Sequence, residues 1–298
     1  MQASHTFGPV RIYLGHQSGK YPDGNQIVVQ GADTRIAFDT PLVSRQIGED
    51  LEGADLLLLS HMHEDHAVGL GRLAHVPVQA HEADLQAVRS WEGFKRHYGY
   101  PDEILDALHG MIVREFDYQP RPDATGYTDG QVWELGGGVR VRAHHLPGHS
   151  AGHCALVEES TGVAFIGDID LTGFGPYYGD AGSSLEQFER SLEQLRTLEA
   201  RTWVTSHHRG VLTERAAFLQ ALDRFAAKIG ERDARLLARL RERPHTLDEL
   251  VAHGLLYPVG TPLPWVAMAE RRTIEQHLER LQARGAVQQD GAGSYRAT

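Results

Sequence analysis

Residues 56–66 read Leu56-Leu57-Leu58-Leu59-Ser60-His61-Met62-His63-Glu64-Asp65-His66, an apolar run that passes directly into three histidines and an aspartate within six positions. Such a run reads as a buried strand. A turn at its end can point alternate side chains into one cleft, and neutral imidazole with carboxylate is the donor set preferred by zinc and similar divalent ions. The bland alternative is a polar loop whose histidines are merely solvated. A lone histidine would favour that alternative; four ligand-type residues directly after a buried strand do not.

Outward from this stretch, β-type runs recur at 10–14, 26–30, 35–38, 55–59, 76–80, 139–143, 155–157, 163–166 and 202–205. Most end on Gly, Asp, His or Pro, as strands do where they deliver polar residues to loops. Three later ends carry the same chemistry: Pro147-Gly148-His149-Ser150, Gly167-Asp168 and Ser206-His207. Added to the first cluster, they supply donors for two metals and a carboxylate to stand between them. Helical patterns lie between some of the strands. Ser184 and Gln187 read as a capping box, after which Leu185, Phe188, Leu192 and Leu195 keep to one helical face. The alternation implies layered strands and helices rather than a pure β-sandwich.

His61, His63, Asp65 and His66 match in full the HxHxDH signature of the metallo-β-lactamase superfamily, which residues 8–228 also resemble in their order of elements. The resemblance implies an α/β fold, a four-layer αββα sandwich. It also implies roles: His61, His63 and His149 hold one metal, Asp65, His66 and His207 the other, and Asp168 bridges them. Asp39, closing Ile36-Ala37-Phe38-Asp39, would support the metal loops. The pattern resembles the glyoxalase II-like and nuclease-like branches, not the lactamases that replace a ligand by cysteine; Cys154 is off the motif. Of the neighbours His207 and His208, the first directly follows the small residue that ends its strand and is taken as the ligand. His208 would then face the cleft as a proton shuttle or substrate contact. Two divalent cations, zinc first with iron or manganese also suited, would lower the pKa of a water between them from about 15.7 towards neutrality. Asp65 or Asp168 would orient that water's proton, and the second metal, His208, Tyr177 or Tyr178 would stabilise the leaving group.

The chain has 298 residues, 41% apolar and 23% charged, enough for a sizeable core in one or two domains. After about residue 230 the pattern changes. Leu236, Leu237 and Leu240 mark one helical face, Thr246 with Glu249 forms a second capping box, and Ile274, Leu278 and Leu281 space a helix ending at Gly285. Two short β-type runs, 286–289 and 294–296, flank the turn 290–293. That order is winged-helix-like, and the expected domains are therefore 1–230, catalytic, and 231–298. The net charge is −11, yet residues 231–298 hold ten arginines against nine acidic residues, so the acidic surplus lies in the catalytic part. Such a surface repels nucleic acid and anionic membrane at long range. Arg271, Arg272, Arg280 and Arg284 alternate with Glu270, Glu275 and Glu279, which suits a solvated helix better than a DNA-reading one. Dimerisation or closure of one side of the pocket are the roles expected of the tail.

No run approaches the roughly 18 apolar residues of a membrane span, the first residues lack the pattern of a signal peptide, and a single cysteine suits a reducing compartment. The expectation is a cytoplasmic hydrolase of a small ester, thioester or lactone-like substrate. A phosphodiesterase or nuclease, and a metal-binding regulator acting through its winged helix, are the competing readings. Residues 84–120 read as a helical insertion in two pieces divided at Tyr100 and Pro101, rich in aromatic residues that include Trp91, Phe94 and Tyr98. Its rings either pack a local helical hairpin or form a lid that selects a substrate with an apolar part.

Overall fold

The computed structural model describes residues 1–298 and builds them around two large sheets. The first runs β1 (His5–Phe7), β2 (Val10–Tyr13), β3 (Gln26–Gln30), β4 (Arg35–Phe38), β5 (Leu56–Leu58), β6 (Val78–His81) and β7 (Thr125–Tyr127), with each strand beside the next. Pairing is antiparallel from β1 to β4 and parallel from β4 to β7. In the second sheet the order is β13 (Val211–Leu212), β12 (Thr202–Val204), β11 (Val163–Phe165), β10 (Cys154–Glu158), β9 (Arg140–His145) and β8 (Val132–Glu134). Only β11 and β12 are parallel in it.

Both sheets are buried on two faces, and the period-two alternation divides the apolar residues between them. Ile27 and Val29 of β3 join Phe38, Leu58, Val141, Leu156 and Phe165 in the layer between the sheets. Val28, between them in sequence, faces the other way, into a cluster with Leu57, Val78 and the helices outside the first sheet. Outside the second sheet, Val157, Ala164 and Trp203 pack on α6 (Leu185–Thr197) and on α7 (Arg215–Glu242). The result is the expected αββα sandwich. All nine strands read from the sequence are present, and β1, β7, β8 and β13 are additional, each only two or three residues long.

The remaining helices before the second sheet are α1 (His16–Gly19), a single turn, α2 (Glu49–Glu52), and three in the insertion: α3 (Leu85–Arg89), α4 (Trp91–Tyr98) and α5 (Asp102–Phe116). Three helices replace the two expected because Ser90 leaves helical geometry and caps α4, its Oγ accepting from the Gly93 N–H at 3.0 Å. The aromatic stripe is core, which corrects the lid reading for two of its three rings. Phe94 is wholly buried, Trp91 stacks on it at 5.1 Å, and both belong to the cluster outside the first sheet.

Beyond the second sheet, α7 continues as one 28-residue helix through the expected border at 230 and 231. It is followed by α8 (Leu247–His253), α9 (Val266–Ala283) and the hairpin β14 (Val287–Gln289) and β15 (Tyr295–Ala297). The capping box of Thr246 and Glu249 is present in both directions. These helices have a small core of their own around Leu240, Ile274 and Leu278. They also dock on the sandwich: Gln276 of α9 accepts from the Leu185 N–H at 2.7 Å and donates to the Tyr178 carbonyl at 2.8 Å. No helix is long and apolar enough to cross a membrane.

Candidate metal centre

Loops at one edge of the sandwich bring the ligand-type residues together, and buried hydrogen bonds fix those loops. Asp39, just after β4, accepts from the Ser60 N–H and Oγ–H, both at 2.7 Å, and from His66 Nδ1 at 2.8 Å. It does so from a left-handed backbone (φ +56°), which aspartate tolerates better than most residues. The glycines that precede two of the other ligands have steric reasons. A Cβ on Gly148 would stand 2.3 Å from the Phe188 nitrogen, and one on Gly167 2.4 Å from His153 Nε2.

The donors fall into two groups. In the first, His61 Nε2, His63 Nδ1 and His149 Nε2 meet at 3.1, 3.2 and 2.9 Å, with Asp168 Oδ2 3.3 Å from His149 and 3.8 Å from His61. In the second, His207 Nε2 lies 3.1 Å from Asp65 Oδ2, and Asp168 Oδ1 lies 3.0 Å from His66 Nε2 and 3.4 Å from His207 Nε2. The Asp168 carboxylate thus reaches both groups with different oxygens.

Every one of these rings is held from behind. His61 Nδ1 faces Ser60 Oγ, His63 Nε2 faces Asp180 Oδ2 at 2.9 Å, and His149 Nδ1 faces the Tyr177 carbonyl. His66 Nδ1 faces Asp39, and His207 Nδ1 faces the carbonyls of Gly19 and Asp23 at 2.9 and 2.8 Å. A neutral ring carries one N–H, so donating it outward leaves a lone pair aimed inward. Three inward lone pairs within about 3 Å of each other repel unless a cation stands among them. His66 Nε2, His207 Nε2 and Asp168 Oδ1 are buried with no hydrogen-bond partner, an arrangement that costs roughly 1–3 kcal/mol per group if left so. The donor set therefore fits two divalent cations. Burial disfavours a charged His63, but the hydrogen bond and charge of Asp180 outweigh it and lift the ring to about 9. A carboxylate behind an imidazole makes the inner nitrogen a stronger donor in the same way.

Several residues of this site escaped the sequence reading. Asp84 ties two loops together, accepting from the Met62 N–H at 3.0 Å, the Ser150 hydroxyl at 2.6 Å and the Gly152 N–H at 2.8 Å. Its signal was available, because it follows a strand run as Asp39 and Asp168 do. Asp180 holds His63 and accepts from Tyr100 and Tyr177, and Glu64 accepts from Tyr98 and Tyr21. Neither had a sequence signal beyond its proximity to other polar residues. His208, exposed with φ +64°, lines the cleft but stands outside both donor groups. Tyr177 lines it too. Tyr178 does not: it is wholly buried and bonded to His277 and Arg232, which removes it as a leaving-group contact.

A cleft of about 520 Å³ opens over the donors. Its lining includes Tyr21, Glu64, Tyr98 and Phe174, with Tyr257, Leu263 and Trp265 from the segment between α8 and α9. The tail thus contributes to the lining of the pocket. No lysine or arginine lines it.

Comparison with known proteins agrees with this fold. The family profile of the metallo-beta-lactamase superfamily matches residues 29–207. An acyl-coenzyme A thioesterase of Bos taurus is 28% identical over 174 residues, 51% of this chain and 61% of that protein. An atrochrysone carboxyl ACP thioesterase of Aspergillus novofumigatus is 26% identical over 253 residues, 81% and 63% of the two chains. A hydroxyacylglutathione hydrolase of Methylococcus capsulatus is 35% identical over 127 residues, 42% and 43%. The chain spans less than two thirds of the length of these relatives. Among solved structures, a metallo-beta-lactamase family protein from Thermus thermophilus superposes with a TM-score of 0.71 at 26% identity, covering 97% of this chain and 99% of its own.

Proposed function

From the premise that this chain belongs to the metallo-β-lactamase superfamily, we propose that it is a thioester hydrolase for a small molecule, with His61, His63 and His149 holding one divalent cation, Asp65, His66 and His207 a second, and Asp168 both. Zinc is the cation the nitrogen-rich set favours, and iron or manganese would also be accepted. When bound, the cation pair supplies an activated water and polarises the carbonyl to be attacked. The protein's own part is to position and to shape. Asp168 reaches both donor groups and Asp65 belongs to the second; one or the other would orient the proton of the attacking water. Asp180, Ser60 and the Tyr177 carbonyl keep the three rings of the first group in the tautomer that presents a lone pair.

One observation carries the choice of substrate: the cleft over the donors has an apolar wall and no lysine or arginine. Beyond the cations themselves, a phosphodiester would find no basic side chain in this wall to pair its charge, whereas an acyl group needs none there. The hydroxyls of Tyr98 and Tyr177 already donate to Glu64 and Asp180, which leaves His208 as the side chain of the cleft that can assist a strongly basic leaving group. A thiol, with a pKa of about 8.5, departs as thiolate without such help. The names of the three relatives point the same way. The test uses metal-loaded protein and follows thiol release from acyl thioesters beside nitrophenol release from an aryl phosphodiester. Thioester cleavage is expected to exceed phosphodiester cleavage by orders of magnitude in kcat/KM. Faster cleavage of the phosphodiester, or no release of thiol, would overturn the reading.

A further inference from the structure

We infer that the segment from Tyr257 to Trp265, together with Phe174, is an acyl-binding subsite that selects thioesters carrying a medium-length alkyl chain or an aromatic ring over acetyl; the inference builds on the thioesterase reading. The observations begin with exposure. Phe174 is 41% and Leu263 39% exposed, and both face the cleft instead of a core. Apolar surface left in water is unfavourable, and exposed apolar residues at the mouth of a cleft mark a place that something covers.

The wall is also braced at both ends, which a solvated connecting loop would not need to be. Pro258, Pro262 and Pro264 restrict its backbone. At its base the buried Glu270 carboxylate accepts the N–H groups of Leu255, Leu256 and Tyr257 at 2.8, 2.7 and 2.6 Å. At its other end Trp265 packs against the main apolar cluster of the sandwich. Phe174 is held from the opposite side: Arg232 of α7 donates to the Phe174 carbonyl at 2.6 Å and to the Pro176 carbonyl at 2.5 Å. The Phe174 and Tyr257 rings then meet at 5.5 Å. Two separately braced elements, one from the loop after Asp168 and one from the tail, thereby meet in one uncharged surface beside the donors. Its chemistry is that of an apolar acyl group, and the thiol carrier would extend outwards.

The experiment compares octanoyl and acetyl thioesters of one thiol in the parent protein, Leu263→Ala and Leu263→Asp, all metal-loaded. Leu263 is exposed, so both variants should fold. Each buried methylene is worth about 0.8 kcal/mol, or roughly fourfold in binding, so the parent is expected to favour octanoyl by at least about tenfold in kcat/KM. Leu263→Asp should reduce that preference to within about threefold. A second readout needs no catalysis: binding of the amides in which NH replaces the thioester sulfur, octanoyl against acetyl, by titration calorimetry. Equal binding of the two amides by the parent, or the same preference in parent and Leu263→Asp, would overturn the subsite. Preferential binding of the octanoyl amide that Leu263→Asp removes, in a protein that cleaves no thioester, would sustain the subsite and remove the thioesterase reading.

Discussion

His207 and His208 are neighbours in sequence with the same side chain, and their backbones give them different surroundings. His207 is buried, with Nδ1 turned to two carbonyls and Nε2 among Asp65 and Asp168. His208 takes a left-handed backbone and turns its ring out to the cleft. The same outward-proton device recurs at His61, His63, His66 and His149, each with a different acceptor behind it. Replacement of His207 by Ala is therefore expected to lower the metal content of the saturated protein by about one ion per chain, whereas His208→Ala should keep both and alter turnover only. Elemental analysis of the purified variants after dialysis checks this. Equal metal content in the two variants would remove the assignment. Sequence favoured His207 only by its place directly after the strand-ending Ser206; what turns the neighbouring ring away is the left-handed backbone of His208, which no local spacing encodes.

Among the elements, α4 is where pattern and packing diverged. Trp91, Phe94 and Tyr98 recur at near-helical spacing, and a stripe of that kind can serve a core or a ligand equally well. The structure divides them along the helix. Trp91 and Phe94 pack with Tyr118 and His109, while Tyr98, one turn further on, lines the cleft and donates to Glu64. Phe94→Ala is accordingly expected to cost about 3–5 kcal/mol of stability, read as a large loss in Tm, with metal content and KM of the folded fraction nearly unchanged. A variant with parental Tm and a raised KM would return the ring to the pocket. The three-helix form of the insertion was likewise hidden in its sequence. Ser90 ends one helix and caps the next, a break that the apolar spacing does not register.

For the whole molecule, the tail is both an appendage with its own small core and a part of the site. One face of α9 is occupied within the chain: Gln276 and His277 bond the loop and helix beyond Asp168, and Arg280 pairs with Glu189 and Asp233. Ending the chain after residue 230 would cut α7 mid-helix, uncover Tyr178 and remove the wall at Tyr257. That truncation is expected to aggregate on size-exclusion chromatography, and the intact protein is expected to show no appreciable duplex DNA binding at physiological salt. A monodisperse truncated protein with parental turnover would contradict both the docking and the subsite. What the sequence determined by itself was the position of nine sandwich strands and the seven candidate ligands, because strand period, buried runs and ligand-type residues at strand ends are local properties carried by neighbouring positions. The pairing of Asp39 with Ser60 and His66, the bracing of His63 by Asp180, the core role of Phe94 and the meeting of Phe174 with Tyr257 were decided only by tertiary structure. Those contacts join residues up to 117 positions apart, and which of many polar or aromatic side chains meets which depends on how the layers stack, a long-range choice that no local spacing encodes.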